Sequence, residues 1–183
     1  MNRTLALTPS LVLRLRAGEV DAAELLDELY RDVLFRFCWG YLRRRDDCED
    51  AVQDICCKVL AAREIPEGFR PWLYKVARNH CLNVIRRRGR HPDENAGPPP
   101  SGLAGDLTGQ LTRLVRNEDN ARLADMVDAL PDIYQEVLRL RYVEELSRAE
   151  IAEILDLPES LMKSRLFDGL RKLRLEAGEL DSA

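Results

Sequence analysis

The side chains with the most specific chemistry in this sequence lie between residues 70 and 90. The segment holds seven Lys and Arg residues and no Asp or Glu, which leaves seven uncompensated positive charges in a chain of formal net charge -4. On a helix the apolar residues of the segment share one face, and the opposite face carries Lys75, Asn79, Asn83, Arg86 and Arg87. Cations neutralise phosphates and asparagine can pair with a base edge, so this face, with Arg70 and Arg78, predicts nucleic-acid binding. The alternative is a solvated helix face.

Three aromatic residues near the start of this helix could stack on unpaired bases: Phe69, Trp72 and Tyr74. For Trp72 alone, a place in the hydrophobic core is the simpler interpretation. Basic, amide and aromatic side chains together are typical of a protein that reads single-stranded or distorted duplex DNA.

The second half of the chain predicts a helix-turn-helix. Ser147 and Glu150 have the spacing of a capping box, which starts a short helix, and Asp156 to Pro158 end it. A second helix follows, with an apolar side predicted from Leu161, Leu166, Leu170 and Leu173. As a recognition helix it would touch DNA bases through Ser160, Lys163, Ser164 and Arg165, and phosphates through Arg171, Lys172 and Arg174. Because this half is net acidic, an amphipathic hairpin that binds another protein remains the alternative.

Helices must position both groups of residues. Apolar residues recur at helical spacing from Pro9 to about Ile85 and again from Leu111 to Leu175, and no segment alternates like a strand, so the sequence predicts an all-α protein. Residues 91–110 are rich in Pro and Gly and poor in large apolar side chains, which predicts a flexible linker. We therefore expect domains at 9–90 and 113–177 joined by a linker at 91–112. The first 90 residues have a net charge of +4 and the remainder -8, which suggests different electrostatic roles.

Composition argues against several other classes of protein. Hydrophobic residues make up 45% of the chain and charged residues 33%, and no apolar run could cross a bilayer, so we expect a cytoplasmic globular protein. No phosphate-binding glycine loop, histidine pair at metal spacing or catalytic Ser/His/Asp set is present, which predicts no enzymatic activity, no cofactor and no metal. The cysteines are Cys38, Cys48, Cys56, Cys57 and Cys81, and without a C-x-x-C spacing they predict reduced thiols that act mostly as small hydrophobic side chains, with a metal or redox site as the alternative.

Taken together, three segments resemble the extracytoplasmic-function (ECF) group of bacterial sigma factors: DDCEDAVQDI, FRPWLYKVARNHCLNVIRRRGR and the region from ALPDIYQEV to DGLRKLR. The resemblance runs from about Leu11 to Leu175. It implies a sigma region 2 helical bundle that binds the β′ clamp helices of core RNA polymerase and melts the minus-ten element. It also implies a region 4 helix-turn-helix that binds the minus-thirty-five element and the flap of the β subunit.

The resemblance also assigns roles to individual residues. Carried over by position, the clamp-binding residues are Asp47, Glu49, Asp50, Gln53 and Asp54, although helix capping alone would also explain these carboxylates. Asn79 matches an amide beside the flipped base of the minus-ten strand, with Arg78, Asn83, Arg86 and Arg87 on the backbone. Because the acidic helix is intact, we expect regulation by an anti-sigma factor rather than by phosphorylation.

Three departures from the family pattern accompany the resemblance. Cys56 and Cys57 stand where the family commonly has bulky apolar or aromatic residues, which predicts looser packing or a thiol sensor, and the loop from Arg63 to Phe69 is shorter than is usual in the family. Asp168 stands at a recognition-helix position where basic residues are common, so either its face turns from DNA or it accepts from a cytosine amino group. The competing function is a stand-alone helix-turn-helix regulator, which would bind its operator without polymerase.

Overall fold

A computed structural model describes residues 3–88 and 126–180, with side chains from 8 to 88 and from 126 to 175. The contacts divide the chain into two units, Met1–Pro99 and Pro100–Ala183. Every regular element in the described ranges is an α-helix, which confirms the predicted all-α fold. The predicted linker at 91–112 and the start of the second predicted domain lie outside the described residues.

In its described residues the first unit is a bundle of four helices: α1 (Arg3–Ala17), α2 (Ala22–Leu42), α3 (Arg45–Leu60) and α4 (Phe69–Arg88). The central helix is α2, which packs against the other three. Helix α1 is followed by Gly18, whose positive φ of 68° suits a residue without a side chain. Asp46 and Asp47 occupy the first turn of α3, where carboxylates meet the exposed N–H groups, as the sequence predicts.

Aromatic residues form much of the core of this unit. The rings of Tyr30 and Phe69 meet edge to face at 5.7 Å between centroids, and those of Phe37 and Tyr74 at 5.2 Å. Phe69 and Tyr74 are 2% and 1% exposed. The prediction that these two could stack on bases is therefore wrong, because both lie on the core-facing side of α4, whereas Trp72 is half-buried.

Three cysteines meet in the same core. Cys38, Cys48 and Cys81 are fully buried, and Cys38 and Cys81 share a hydrogen bond that, together with burial, raises the pKa of the Cys38 thiol. Burial raises the pKa of Cys48 to about 12. These three residues pack as small hydrophobic groups. On α3, Cys56 is half-buried and Cys57 is exposed.

The second unit contains α5 (Asp132–Tyr142), α6 (Arg148–Leu155) and α7 (Glu159–Leu180), preceded by helical residues 126–129. The predicted capping box is present at the start of α6. Glu150 N–H donates to Ser147 Oγ at 3.2 Å, and Ser147 N–H donates to Glu150 Oε2 at 2.7 Å. Asp156 takes a left-handed conformation (φ 52°) that ends α6, and α7 starts three residues later.

The apolar side of α7 differs from the prediction at one position. Met162 is fully buried, with Leu166 and Leu173 almost so, whereas Leu161 is 42% exposed. Consecutive residues on a helix point about 100° apart, so the burial of Met162 turns Leu161 toward the flank. Gly169 lies on the buried side, where an added Cβ would stand 3.3 Å from Tyr134 Cβ and 3.2 Å from Leu138 Cδ1. The absence of a side chain therefore lets α5 and α7 approach closely.

Candidate nucleic-acid and protein interfaces

The outward face of α4 carries the predicted nucleic-acid residues. Asn79, Asn83, Arg86 and Arg87 are exposed, and Arg86 Nη1 donates to Asn83 Oδ1 at 2.9 Å. Three other cations on α4 are half-buried: Arg70, Lys75 and Arg78. The result is a continuous surface on one helix that offers amide groups flanked by positive charges, the chemistry that backbone phosphates and unpaired base edges require.

The charge of Arg88 is compensated from within the protein. The guanidinium of Arg88, in the last turn of α4, donates through both terminal nitrogens to the two carboxylate oxygens of Asp47. The prediction of seven uncompensated charges is therefore wrong at Arg88, and Arg90 lies outside the described residues. The carboxylate lies 41 residues earlier in the sequence, on α3, so no inspection of residues 70–90 could reveal it.

A second face, on α3, is acidic. Asp50, Gln53 and Asp54 are exposed at spacings of three and four residues, which puts them on one side of the helix. Glu49 is also exposed and accepts from Arg45 Nε at 2.8 Å. Asp47 stands apart from these four because its side chain is only 7% exposed and is bound by Arg88, with Arg44 Nε at 3.7 Å.

His80 links the acidic helix to the basic one. This buried residue of α4 lies 2.7 Å from Lys58 Nζ through Nδ1 and 3.8 Å from Asp54 Oδ2 through Nε2. Lys58 can only donate, so Nδ1 accepts and Nε2 carries the proton in neutral imidazole. Burial lowers the pKa of His80, and the charge of Lys58 lowers it further. Sequence reasoning missed this residue because its partners lie on another helix.

The loop between α3 and α4 is held by α1. Arg16 Nε donates to the carbonyl oxygen of Ile65 at 3.0 Å, and Thr8 Oγ1 shares a 2.7 Å hydrogen bond with the hydroxyl of Tyr30 on α2. The short loop thus has a defined anchor at its middle. It leads directly into the turn of α4 that carries Trp72. Trp72 lies two turns before Asn79, on the same face of the helix.

In the second unit, α7 presents the predicted recognition surface. Ser160, Lys163, Ser164 and Arg171 are exposed, as is Arg174. Arg165 and Lys172 are half-buried on one flank, and Lys172 Nζ lies 5.8 Å from the centre of the Tyr134 ring. The cation of Lys172 is therefore partly engaged by α5.

Two further residues shape this surface. Phe167 is 66% exposed between Lys163 and Arg171, one turn from each, and the sequence analysis assigned it no role. The only sequence signal was its offset from the leucines of the buried side. Asp168 lies 3.7 Å from Arg171 Nη2 and 3.5 Å from Ser164 Oγ, so its charge is partnered locally.

The described residues bring no three His, Cys, Asp or Glu side chains together as ligands of a metal ion. None of the described helices combines the length and apolar character that crossing a bilayer requires. What the described surfaces offer is charge and hydrogen bonding over extended helix faces, which is the chemistry of macromolecular binding.

Comparison with known proteins gives matches over both units. The family described as Sigma-70 region 2 matches residues 11–91, and Sigma-70, region 4 matches residues 120–173. The ECF RNA polymerase sigma-E factor of Haemophilus influenzae is 31% identical over 173 residues, covering 86% of this chain and 88% of that protein. The ECF sigma factor SigW of Bacillus subtilis is 27% identical over 181 residues, covering 92% and 96%.

Solved structures show the same fold. The structure of CnrH in complex with the cytosolic domain of CnrY matches with a TM-score of 0.63 at 21% identity, covering 94% of this chain and 96% of that one. The sigma factor RpoE from Bartonella quintana, in complex with the anti-sigma factor NepR, matches with a TM-score of 0.59 at 19% identity, covering 85% and 96%.

Proposed function

The chain belongs to the sigma-70 family as a member of its ECF group, and on this basis we propose how its surfaces divide the work of transcription initiation. An ECF sigma factor binds core RNA polymerase and directs promoter-specific initiation through the minus-ten and minus-thirty-five elements. The comparisons favour this function over a stand-alone helix-turn-helix regulator. Members of this family are initiation factors rather than enzymes, so the chemistry of transcription belongs to the polymerase.

The first unit, proposed as region 2 over residues 9–90, would bind the polymerase through α3. Glu49, Asp50, Gln53 and Asp54 form an exposed acidic side suited to the basic β′ clamp helices. Opposite charges of this kind steer encounter and fix register more than they add affinity. Asp47 belongs to the same motif, and its burial suggests a supporting role.

The outward face of α4 would contact the minus-ten element. Asn79 is the proposed base-reading amide, and the surrounding basic and amide side chains would hold the strand backbone: Arg70, Lys75, Arg78, Asn83, Arg86 and Arg87. Extruding a base costs a few kcal/mol, which hydrogen bonds and stacking must offset. Trp72, half-buried on the same side of α4, is the available aromatic surface.

The second unit, proposed as region 4 over residues 113–177, would bind the minus-thirty-five element through α7 and the flap of the β subunit through its remaining surface. Ser160, Lys163, Ser164 and Arg165 would enter the major groove, with Arg171 and Lys172 closer to phosphates. The pairing of Asp168 with Arg171 favours a role in orienting that arginine over a direct base contact. The linker at 91–112 would thread polymerase channels.

We further propose that this sigma factor works in the cytoplasm and is held inactive by an anti-sigma factor. RpoE of Bartonella quintana was solved with an anti-sigma factor, and its likeness to this chain supports the proposal. The acidic face of α3 is complete without added phosphate, which favours sequestration over phosphorylation as the mode of control.

The observation that carries the division of labour is the presence of an acidic face on α3 and a basic face on α4, two helices that pack against each other. The test is multiple-round transcription by purified core polymerase on a promoter library, with wild-type protein and with Asp50→Arg. We expect transcripts that depend on the wild-type protein and are lost with Asp50→Arg.

A matched control is Glu24→Arg, which makes the same charge change at another exposed carboxylate, on α2. Transcription with Glu24→Arg should match that of the wild-type protein. Equal loss in both variants would show that net charge, and not the α3 surface, governs polymerase binding. If the protein alone bound duplex DNA and no transcript appeared, the result would instead support a stand-alone helix-turn-helix regulator.

A further inference from the structure

Polar contacts join helices α3 and α4 at their open end and along their length, and α1 holds the loop that connects them. The pairs Asp47–Arg88 and Lys58–His80 connect positions that advance along α3 while they retreat along α4, so the helices run antiparallel. At the closed end, Arg16 holds the connecting loop through the carbonyl of Ile65. The acidic face of α3 and the basic face of α4 therefore belong to one helical hairpin whose two helices are held together by polar contacts.

The contact at the open end is a bidentate ion pair between Asp47 and Arg88. Arg88 binds Asp47 with two donors to two oxygens, the arrangement that fixes both distance and orientation. Asp47 lies in the first turn of α3 and Arg88 in the last turn of α4, so each charge also opposes the partial charge of its own helix end. Without the guanidinium of Arg88, the 7% exposed carboxylate of Asp47 would keep only Arg44 Nε, 3.7 Å away, as a partner for its buried charge.

The location of this pair suggests what it does. The pair lies between the acidic face proposed to bind polymerase and the basic face proposed to bind DNA. Its polar atoms bind each other and are not part of either face. Asp47 is too buried to present its oxygens to a partner, and both terminal nitrogens of Arg88 are committed to it.

We propose that Asp47 and Arg88 are a positioning pair that sets the register of α4 against α3, so that a polymerase bound through α3 receives the minus-ten strand opposite Asn79. The inference rests on the proposed function of the two faces. Loss of the pair leaves both faces intact but misplaces one relative to the other. Polymerase affinity is then retained while promoter opening slows.

The experiment is a double-mutant cycle with Asp47→Asn, Arg88→Gln and the double variant. Core affinity is measured by fluorescence anisotropy, and the rate of promoter opening by 2-aminopurine in the minus-ten element at saturating core. We expect each single variant to slow opening about 2- to 30-fold, the range for a coupling carried by one packed contact. The double variant should be no slower than the slower single variant, because one shared contact is lost in all three.

The control cycle combines Asp47→Asn with Arg87→Gln, since Arg87 is the exposed neighbour proposed to hold the DNA backbone. Here the two effects should multiply. Urea unfolding of every variant gives the folded fraction at the assay temperature. Where that fraction equals that of the wild-type protein, unfolding cannot account for slower opening. If Asp47→Asn does not fold, Arg88→Lys provides the second test and should retain part of the opening rate.

Two results would overturn the proposal. Effects of Asp47→Asn and Arg88→Gln that multiply would show that the residues act on separate partners. A loss of core affinity in Asp47→Asn as large as that in Asp50→Arg would make Asp47 a direct polymerase contact. Either result leaves the sigma function standing, whereas an absence of transcripts with wild-type protein would remove that function itself.

Discussion

Replacing Gly169 with alanine tests whether the close crossing of α5 and α7 holds the recognition helix in place. The added methyl group would stand 3.3 Å from Tyr134 Cβ and 3.2 Å from Leu138 Cδ1, tighter than ordinary van der Waals contact. Leu138 is 1% exposed and has little space to move, and Tyr134 Cβ is fixed by the backbone of α5. The helices must therefore separate by a few tenths of an ångström.

Two opposing contributions decide the outcome of Gly169→Ala. Alanine is favoured over glycine inside a helix by about 1 kcal/mol. Overpacking a close contact costs roughly 1–3 kcal/mol. We expect a net loss of unfolding free energy of up to about 2 kcal/mol, opposite in sign to the helix propensity alone.

Urea unfolding of the full chain can assign this loss to the second unit. Both tryptophans, Trp39 and Trp72, lie in the first unit, so circular dichroism should shift while tryptophan fluorescence does not. Lys163 provides the matched control, because it is exposed on the same helix and Lys163→Ala should be more stable than Lys163→Gly by about 1 kcal/mol. If Gly169→Ala gains stability as alanine does at 163, the close-approach argument is refuted.

Four other changes have defined outcomes. Ser147→Ala removes the capping box of α6 and should destabilise the second unit by about 1 kcal/mol in urea unfolding, whereas an unchanged midpoint would count against the cap. Asn79→Ala should slow promoter opening more than it weakens closed-complex binding, and equal losses would contradict a base-reading role. Arg165→Ala should relax dependence on the minus-thirty-five element in footprinting, and an unchanged footprint would remove Arg165 from the interface. Because the pKa of His80 is lowered in the folded state, the unfolded chain binds the proton more readily, so stability falls as pH drops below about 6.5. Tryptophan-detected unfolding between about pH 7.5 and 5.5 should show a flatter dependence in His80→Gln, and an identical slope would exclude His80 as the titrating group.

Local pattern was sufficient to predict most of the helices. Apolar spacing of three and four residues identified α2, α3, α4 and α7, and the Ser147–Glu150 spacing predicted the start of α6 because a capping box depends only on residues three apart. The exposed face of α4 was also predictable, since its amide and basic residues recur at the helical period.

Contacts between helices were not predictable in the same way. The sequence grouped Asp47 with the exposed carboxylates of its motif, but burial in the bundle and a partner 41 residues away separate it from them. His80 needed the register of α3 against α4 to meet Lys58. Phe69 and Tyr74 failed as stacking residues because rotation of α4 in the bundle, rather than residue type, decides which aromatic rings face solvent.

The different environments of the cysteines provide an attachment point for a probe. Maleimide reagents need a thiolate, and burial holds Cys38 and Cys48 neutral while it also raises the pKa of the half-buried Cys56. Cys57 is exposed, one turn beyond Gln53 and Asp54 on the same side of α3. A fluorophore coupled there to the native chain would sit beside the proposed polymerase surface, so docking could be followed in real time without engineering the core.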